Sequence, residues 1–312
     1  KLIKRKVKVM VVTEKIRKIA QDIKDIKIQG ASNIELSAIE AIKEFIIEDK
    51  NKSKFVENLQ ENINHLVKQR PNEPKLRNSL NYILYKAYYY RLEDNNKKLI
   101  EEIKNYKENT EKGNFKVSEI ASQLIEKGSK ILTHCHSTLV ENAFKIAHDK
   151  GVDFEVYCTE TRPRYQGRIT AKNLSDYGIK TTMIVDSGVS QVLKKCDYFF
   201  TGADVIFSDG SIMNKVGTHT ISLMANNFKT PHIILTTTNC CEMDAMYNIK
   251  GTIETRDVNE VWEEEKRPKT LQILNPAFDI IPKELIDKFI TEVGVFSPET
   301  LHLWVNQDKF ER

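Results

Sequence analysis

Five short runs in the second half of the chain, residues 130–134, 154–159, 181–186, 198–203 and 232–237, constrain its architecture more than any other feature. Each is rich in Ile, Val, Phe, Tyr and Thr, whose side chains suit a pleated surface, and each leads through a polar turn into a stretch with helical spacing. Strands separated by helices pair in parallel, because the crossover brings the chain back in the same direction and covers the face of the sheet. The predicted fold class is α/β, with a parallel sheet flanked by helices. Ligands of such sheets sit outside the carboxyl ends of the strands, so the residues just after each run are where chemistry is to be sought.

The first part of the chain reads differently. From Thr13 to about Asn114 the apolar residues recur at helical spacing: Ile16, Ile19, Ile23 and Ile26; Ile39, Ile42 and Ile46; Phe55, Leu59, Ile63 and Leu66; Leu76, Leu80 and Leu84. "QGAS" at 29–32 is a turn that opens the second helix, and "RPNEP" at 70–74 interrupts the chain with two prolines before another. The polar run "NNKKLIEEIKNYKENTEKGN" ends near 112, where a domain boundary is placed. The expected organisation is a basic tail over 1–12, an all-helical N-terminal domain over 13–112 and an α/β catalytic domain over 113–312.

Composition excludes several function classes. No apolar run approaches the roughly 18–20 residues that span a bilayer, and Lys and Arg interrupt the opening "KLIKRKVKVM" throughout, so neither a membrane span nor a signal peptide is expected. The net charge of +4 is mild and acidic residues interleave the basic ones, which argues against direct nucleic-acid binding. The five cysteines, at 135, 158, 196, 240 and 241, are odd in number and include no CxxC pair, the pattern of reduced thiols in a cytoplasmic protein.

The strand ends carry the chemistry. After the first run come His134, Cys135, His136 and Ser137; adjacent residues cannot easily chelate one ion, and no later cluster at ligand spacing completes a set, so no metal is expected. Cys135 stands between a strand and a helix start, whose positive end lowers a thiol pKa from about 8.5, and is a candidate base or nucleophile; the alternative is a small buried thiol. Ser137 and Thr138 suit a helix N-cap and, with the following N–H groups, a phosphate. "TETRPRYQGR" places Arg162, Arg164 and Arg168 in one loop, either a surface salt-bridge cluster or an anion clamp. Asp186 is read as a helix cap. Asp204 follows a hydrophobic strand and Gly202-Ala203, where a carboxyl with a raised pKa could act as an acid or simply cap a helix. "NKVGT" at 214–218 supplies an amide, an ammonium and a glycine before a helix start, a phosphate environment. The adjacent Cys240 and Cys241 read as small core residues.

Taken together, "QGAS", "RPNEP", "THCHS", "TETRPRYQGR", "DS", "GAD…DGS…NKVGT" and "NPAFDIIP" resemble, in order and spacing, one family. It unites the alpha, beta and delta subunits of translation initiation factor 2B with methylthioribose-1-phosphate isomerase and archaeal ribose-1,5-bisphosphate isomerase. The resemblance covers essentially everything after the basic tail. It implies an N-terminal helical domain, a C-terminal Rossmann-like domain and a homodimer or homohexamer. The isomerases of the family carry a catalytic Cys after the first strand and a catalytic Asp in the "GAD" segment, a pair the regulatory subunits generally lack; here they are Cys135 and Asp204. The "HCHS" context looks more like the ribose-1,5-bisphosphate enzyme than the methylthioribose enzyme. Carried over by motif, Gln29, Gly30, Ala31, Arg70, Ser137, Thr138, Gln166, Asn214 and Lys215 would line a phosphorylated pentose such as ribose 1,5-bisphosphate, with AMP as an effector and no cofactor.

Two positions depart from the family pattern. Gln29 stands where the ribose enzyme has Arg, which removes a charge-assisted contact worth about 1.5–3 kcal/mol, and Cys240 stands near the position of a customary Lys. Both changes remove positive charge. They point to a modified substrate, or to the competing reading of a non-catalytic regulatory subunit that binds a nucleotide or an initiation factor.

Overall fold

The computed structural model describes residues 12–25, 27–28, 30–49, 52–91, 96–242 and 253–300. The basic tail, apart from Val12, and two residues singled out above, Ile26 and Gln29, lie outside the described residues. The chain divides into two compact units, one up to Asn109 and one from Thr110.

The first unit is helical: α1 (Glu14–Lys24), α2 (Ala31–Glu48), α3 (Phe55–Val67), α4 (Pro74–Arg91) and the beginning of α5 (Asn96–Ser122). The Thr13 hydroxyl caps α1 by accepting from the Ile16 N–H at 3.4 Å, and Pro74 opens α4 where a missing N–H costs nothing. Ile16, Ala20 and Ile23 of α1 pack with Ile39, Ile42 and Ile46 of α2, Leu59, Ile63 and Leu66 of α3 and Leu76 and Leu80 of α4 in one core. That core contains an ion pair: Lys75 Nζ lies 3.3 Å from the Glu35 carboxylate, with the two side chains 2% and 0% exposed.

The division between units falls within α5, and the polar run is helical throughout. Its apolar anchors lie towards its two ends, Leu99 and Ile103 in the first core and Val117 and Ala121 in the second.

In the second unit β1 (Lys130–Thr133), β2 (Glu155–Thr159), β3 (Lys180–Ile184), β4 (Tyr198–Thr201), β7 (His232–Leu235), β9 (Lys288–Thr291) and β10 (Gly294–Phe296) form one sheet in the order β10-β9-β7-β4-β1-β2-β3. All its pairings are parallel except that of β10 with β9. Helices α6 (Thr138–Asp149), α7 (Gln166–Asp176), α8 (Ser190–Leu193) and α9 (Thr218–Phe228) connect and cover it. Side-chain alternation sends Ile131 and Phe200 to one face, against Val140 and Phe144 of α6, and Leu132 and Phe199 to the other, against Leu193 and Ile221. The chain leaves β1 towards β2 and β3, then returns to the other side of β1 as β4. The carboxyl ends of β1 and β4 therefore flank the topological switch point, where the two crossovers diverge and open a crevice.

The sequence reading misses β9 and β10, and with them a second, antiparallel sheet of β5 (Val205–Ile206), β6 (Ile212–Lys215) and β8 (Phe278–Ile281), in the order β5-β6-β8. These strands are two to four residues long, and "IMNK" and "FDII" place polar side chains within them, so neither alternation nor a β-rich run marks them.

Candidate active site

Cys135 follows β1 with a left-handed backbone, φ 71°, a conformation that a non-glycine residue adopts only when its surroundings enforce it. Its N–H donates to Thr161 Oγ1 at 2.9 Å and its carbonyl accepts from Thr170 Oγ1 at 3.2 Å. Thr161 is itself left-handed, at φ 60°. Beside Cys135, His134 is buried, and its Nε2 meets the Val216 carbonyl at 2.9 Å. A carbonyl only accepts, so Nε2 carries the proton and Nδ1 accepts from Thr159 Oγ1 at 2.7 Å. Thr161 then donates to Thr159 at 3.3 Å, and the bonds run in one sense from the Cys135 N–H through Thr161, Thr159 and His134 to Val216. Burial holds His134 below the ordinary histidine pKa, which keeps it neutral and this direction intact.

The small sheet brings the second group of residues together. Asp204 immediately precedes β5, which pairs with β6 in the register Val205↔Met213 and Ile206↔Ile212, and its N–H donates to the Met213 carbonyl at 3.0 Å. Lys215 follows, with its ammonium 5.2 Å from the centre of the Phe278 ring. The Lys215 charge and the Asp204 and Asp186 carboxylates all act on the Cys135 thiol. Burial dominates and pushes the thiol up to about 11; Lys215 and the His136 N–H pull it down, and the two carboxylates push it further up. This corrects the expectation of a thiol activated by the helix start: desolvation outweighs the partial charge of α6.

Two further expectations change. Asp186 caps no helix; its carboxylate accepts from the N–H groups of Thr161 at 2.8 Å and Arg162 at 2.7 Å and so clamps the loop after β2. The helix start after "NKVG" is already occupied, because the Asp279 carboxylate accepts from the Gly217 and His219 N–H groups at 2.7 and 3.1 Å. An internal anion thus fills the α9 N-terminus, and the Asn214 amide donates to Thr218 Oγ1 at 3.2 Å. By contrast, Ser137 takes the N-cap position of α6 without making a capping bond, and Thr138 begins the helix.

Gly202, just before Asp204, lies so close to Ser137 that a Cβ there would sit 3.0 Å from the Ser137 hydroxyl, so the ends of β1 and β4 meet. Gln166 opens α7 with its side-chain oxygen buried and without a hydrogen-bond partner. Thr236, at the end of β7, has a buried hydroxyl in the same state; the polar "TTTN" run contains it but does not distinguish it. Such groups cost about 1–3 kcal/mol unless something satisfies them. The arginines of the β2 loop form the salt-bridge cluster rather than a clamp: Arg164 pairs with Glu260 at 2.9 Å, Arg168 with Glu160 at 3.3 Å, and Arg162 donates to the Val261 carbonyl at 2.9 Å. Cys240 and Cys241 pack with Ile206, Ile234 and Phe289. In the first unit, Gly30 precedes α2 with φ 83°, Ala31 is the first residue of that helix, and Arg70 stands in the turn between α3 and α4. Among the described residues no group of His, Cys, Asp and Glu is arranged to hold a metal ion, and no helix is long and apolar enough to cross a membrane.

A doubly wound sheet with polar groups gathered at its switch point, in a chain that also carries a helical unit, defines the class. Residues 27–298 match the initiation factor 2 subunit family, and the chain belongs to that family. It is 38% identical over 301 residues to the ribose 1,5-bisphosphate isomerase of Pyrococcus furiosus, covering 93% of this chain and 92% of that protein. The corresponding enzyme of Methanocaldococcus jannaschii is 36% identical over 286 residues, covering 91% and 92%. The crystal structure of the 5-methylthioribose 1-phosphate isomerase of Pyrococcus horikoshii superposes with a TM-score of 0.79 at 24% identity, over 95% of this chain and 88% of that one, a likeness of fold.

Proposed function

We propose that this protein is an aldose–ketose isomerase acting on a phosphorylated pentose such as ribose 1,5-bisphosphate, with Cys135 as base and Asp204 as acid. The observation that carries the reading is the enforced left-handed backbone of Cys135 at the switch point, with the charges of Lys215 and Asp204 acting on its thiol. A sugar phosphorylated on its anomeric oxygen cannot open to an aldehyde unaided. Removal of the C2 proton by the thiolate sends its electron pair into a C1–C2 double bond, the bond from C1 to the ring oxygen breaks, and Asp204 protonates that oxygen. The resulting enol loses its C2 hydroxyl proton and gains one at C1, which gives the ketose without any redox partner. Lys215 would hold phosphate oxygens, and the uncapped start of α6 at Ser137 and Thr138 offers N–H groups for the same purpose. The unpartnered Gln166 oxygen would accept from a sugar hydroxyl. The assignment of Gln29, Gly30, Ala31 and Arg70 to the substrate rests on the family resemblance alone.

The second reading, a regulatory subunit without catalysis, is favoured by the neutral Gln29 and by a Cys240 that is buried in an apolar cluster. One experiment separates the two. The purified protein is incubated with ribose 1,5-bisphosphate, with and without AMP, and in parallel with methylthioribose 1-phosphate and ribose 1-phosphate, and the ketose is measured. Formation of ribulose 1,5-bisphosphate supports the enzyme; AMP binding with no turnover of any sugar supports the regulator.

A further inference from the structure

Cys135 and Thr161 are both held in left-handed backbones, and the second supports the first through the bond from the Cys135 N–H to Thr161 Oγ1. For Thr, whose β-branch crowds that region of backbone space, φ 60° requires an external restraint. The restraint is Asp186, from the end of the neighbouring strand β3, whose two carboxylate oxygens take the N–H groups of Thr161 and Arg162. Gly167 locks the same loop from the other side, since a Cβ there would lie 1.8 Å from the Thr159 carbonyl oxygen and 3.0 Å from Thr161 Oγ1.

We propose that Asp186 is a positioning residue for Cys135: acting through Thr161, it fixes the backbone that aims the thiol and sets a carboxylate on the same side of the site. The inference rests on the reading of Cys135 as the base, but its physical content, an orientation and a field imposed on a thiol, exists whether or not a sugar is turned over. The charged groups around the thiol are Lys215 from β6, Asp204 from the β4 end and Asp186 from the β3 end; His134 is neutral. Replacing Asp186 by Asn keeps an acceptor for one N–H, removes the charge and turns an amide NH2 donor towards the other N–H.

The test compares wild type with Asp186→Asn, Thr161→Val and Thr161→Ser. Alkylation of Cys135 by iodoacetamide is followed to pH 11 by mass spectrometry of the peptide that contains it. In Asp186→Asn the midpoint of the profile moves to lower pH and alkylation at pH 8 rises above the wild-type rate. General loosening would also lower the midpoint by relieving burial, and Thr161→Val tells it apart: that variant loosens the loop but keeps the Asp186 carboxylate, so its midpoint moves less than that of Asp186→Asn. On the substrate turned over by the wild type, kcat falls at least tenfold in Asp186→Asn and Thr161→Val with KM within about twofold, and Thr161→Ser restores it. A profile in Asp186→Asn with an unmoved midpoint overturns the proposal. If that variant does not fold, equal kcat in Thr161→Val and Thr161→Ser overturns it instead. If the wild type turns over no sugar, the isomerase reading fails, while the alkylation profiles still decide the role of Asp186.

Discussion

The N–H of Cys135 and the hydroxyl of Thr161 are 2.9 Å apart, and both residues occupy left-handed backbone conformations. The proposed base is thus held by a second strained residue, an arrangement that stores order where the reaction needs it. Cys135→Ser and Asp204→Asn are expected to lower kcat by about 10²–10⁴, the range for loss of a positioned acid or base, with far-UV circular dichroism unchanged. Full turnover in both variants would remove these roles.

The pH dependence follows from the thiol. With Cys135 pushed up to about 11, the thiolate is scarce at neutral pH, and its fraction grows about tenfold per pH unit below that value. The thiolate fraction therefore drives log kcat/KM upwards from pH 7 with no plateau near 8.5, for as long as Asp204 keeps the proton it must donate as the acid. Stability moves the other way. Cys158 and Cys196 are pushed up to about 12, above an unfolded value near 9, so the folded state holds more protons between those limits. Their contribution is present below about pH 9 and declines as pH rises towards 12, which thermal melts at pH 8 and 10.5 would register.

Together with the buried His134, His232 contributes to the acid side. It is buried, its Nε2 lies 2.9 Å from Thr201 Oγ1 and its Nδ1 3.1 Å from Ser222 Oγ, and burial lowers its pKa to about 3. Folded and unfolded forms then differ by up to one proton between about pH 6.5 and 3; the stabilisation is full above 6.5 and is lost as pH falls, at about 1.4 kcal/mol per unit. Denaturant midpoints measured from pH 7 to 4 are expected to fall less steeply in His232→Gln than in the wild type.

Gly167→Ala is expected to destabilise strongly. The added Cβ would lie 1.8 Å from a backbone oxygen, so the loop after β2 must move as a whole rather than a side chain yielding. Overpacking of this kind costs about 1–3 kcal/mol or more, read as a lowered melting temperature, and here it also displaces Thr161 and with it Cys135.

The Lys75–Glu35 pair offers a test in the helical unit. Lys75→Met leaves the Glu35 carboxylate without its buried cation, at an expected cost of about 3–5 kcal/mol by urea unfolding. The double variant Lys75→Met/Glu35→Leu is expected to recover most of that loss, since an apolar pair of similar volume requires no desolvated charge.

The parallel sheet, its flanking helices and the strand ends that bear Cys135, Ser137, Gln166 and Asp204 are legible in the chain because burial imposes periods of 2 and 3.6 on any segment that packs. The positions of the five short runs follow from their β-rich composition and the helical spacing between them. The small antiparallel sheet is not legible, because polar residues such as Asn214, Lys215 and Asp279 stand within its strands, yet it is what ties Asp204 to the strand that carries Asn214 and Lys215. Nor does the sequence reveal that Asp279 occupies the α9 N-terminus, that Asp186 clamps Thr161, or that burial raises the Cys135 thiol instead of lowering it. Each depends on which distant groups share one volume, and on the desolvation that follows. Residue types and spacing determine which elements form and which side chains stand at their ends; only the packed tertiary structure decides which charges meet there and what proton each group holds.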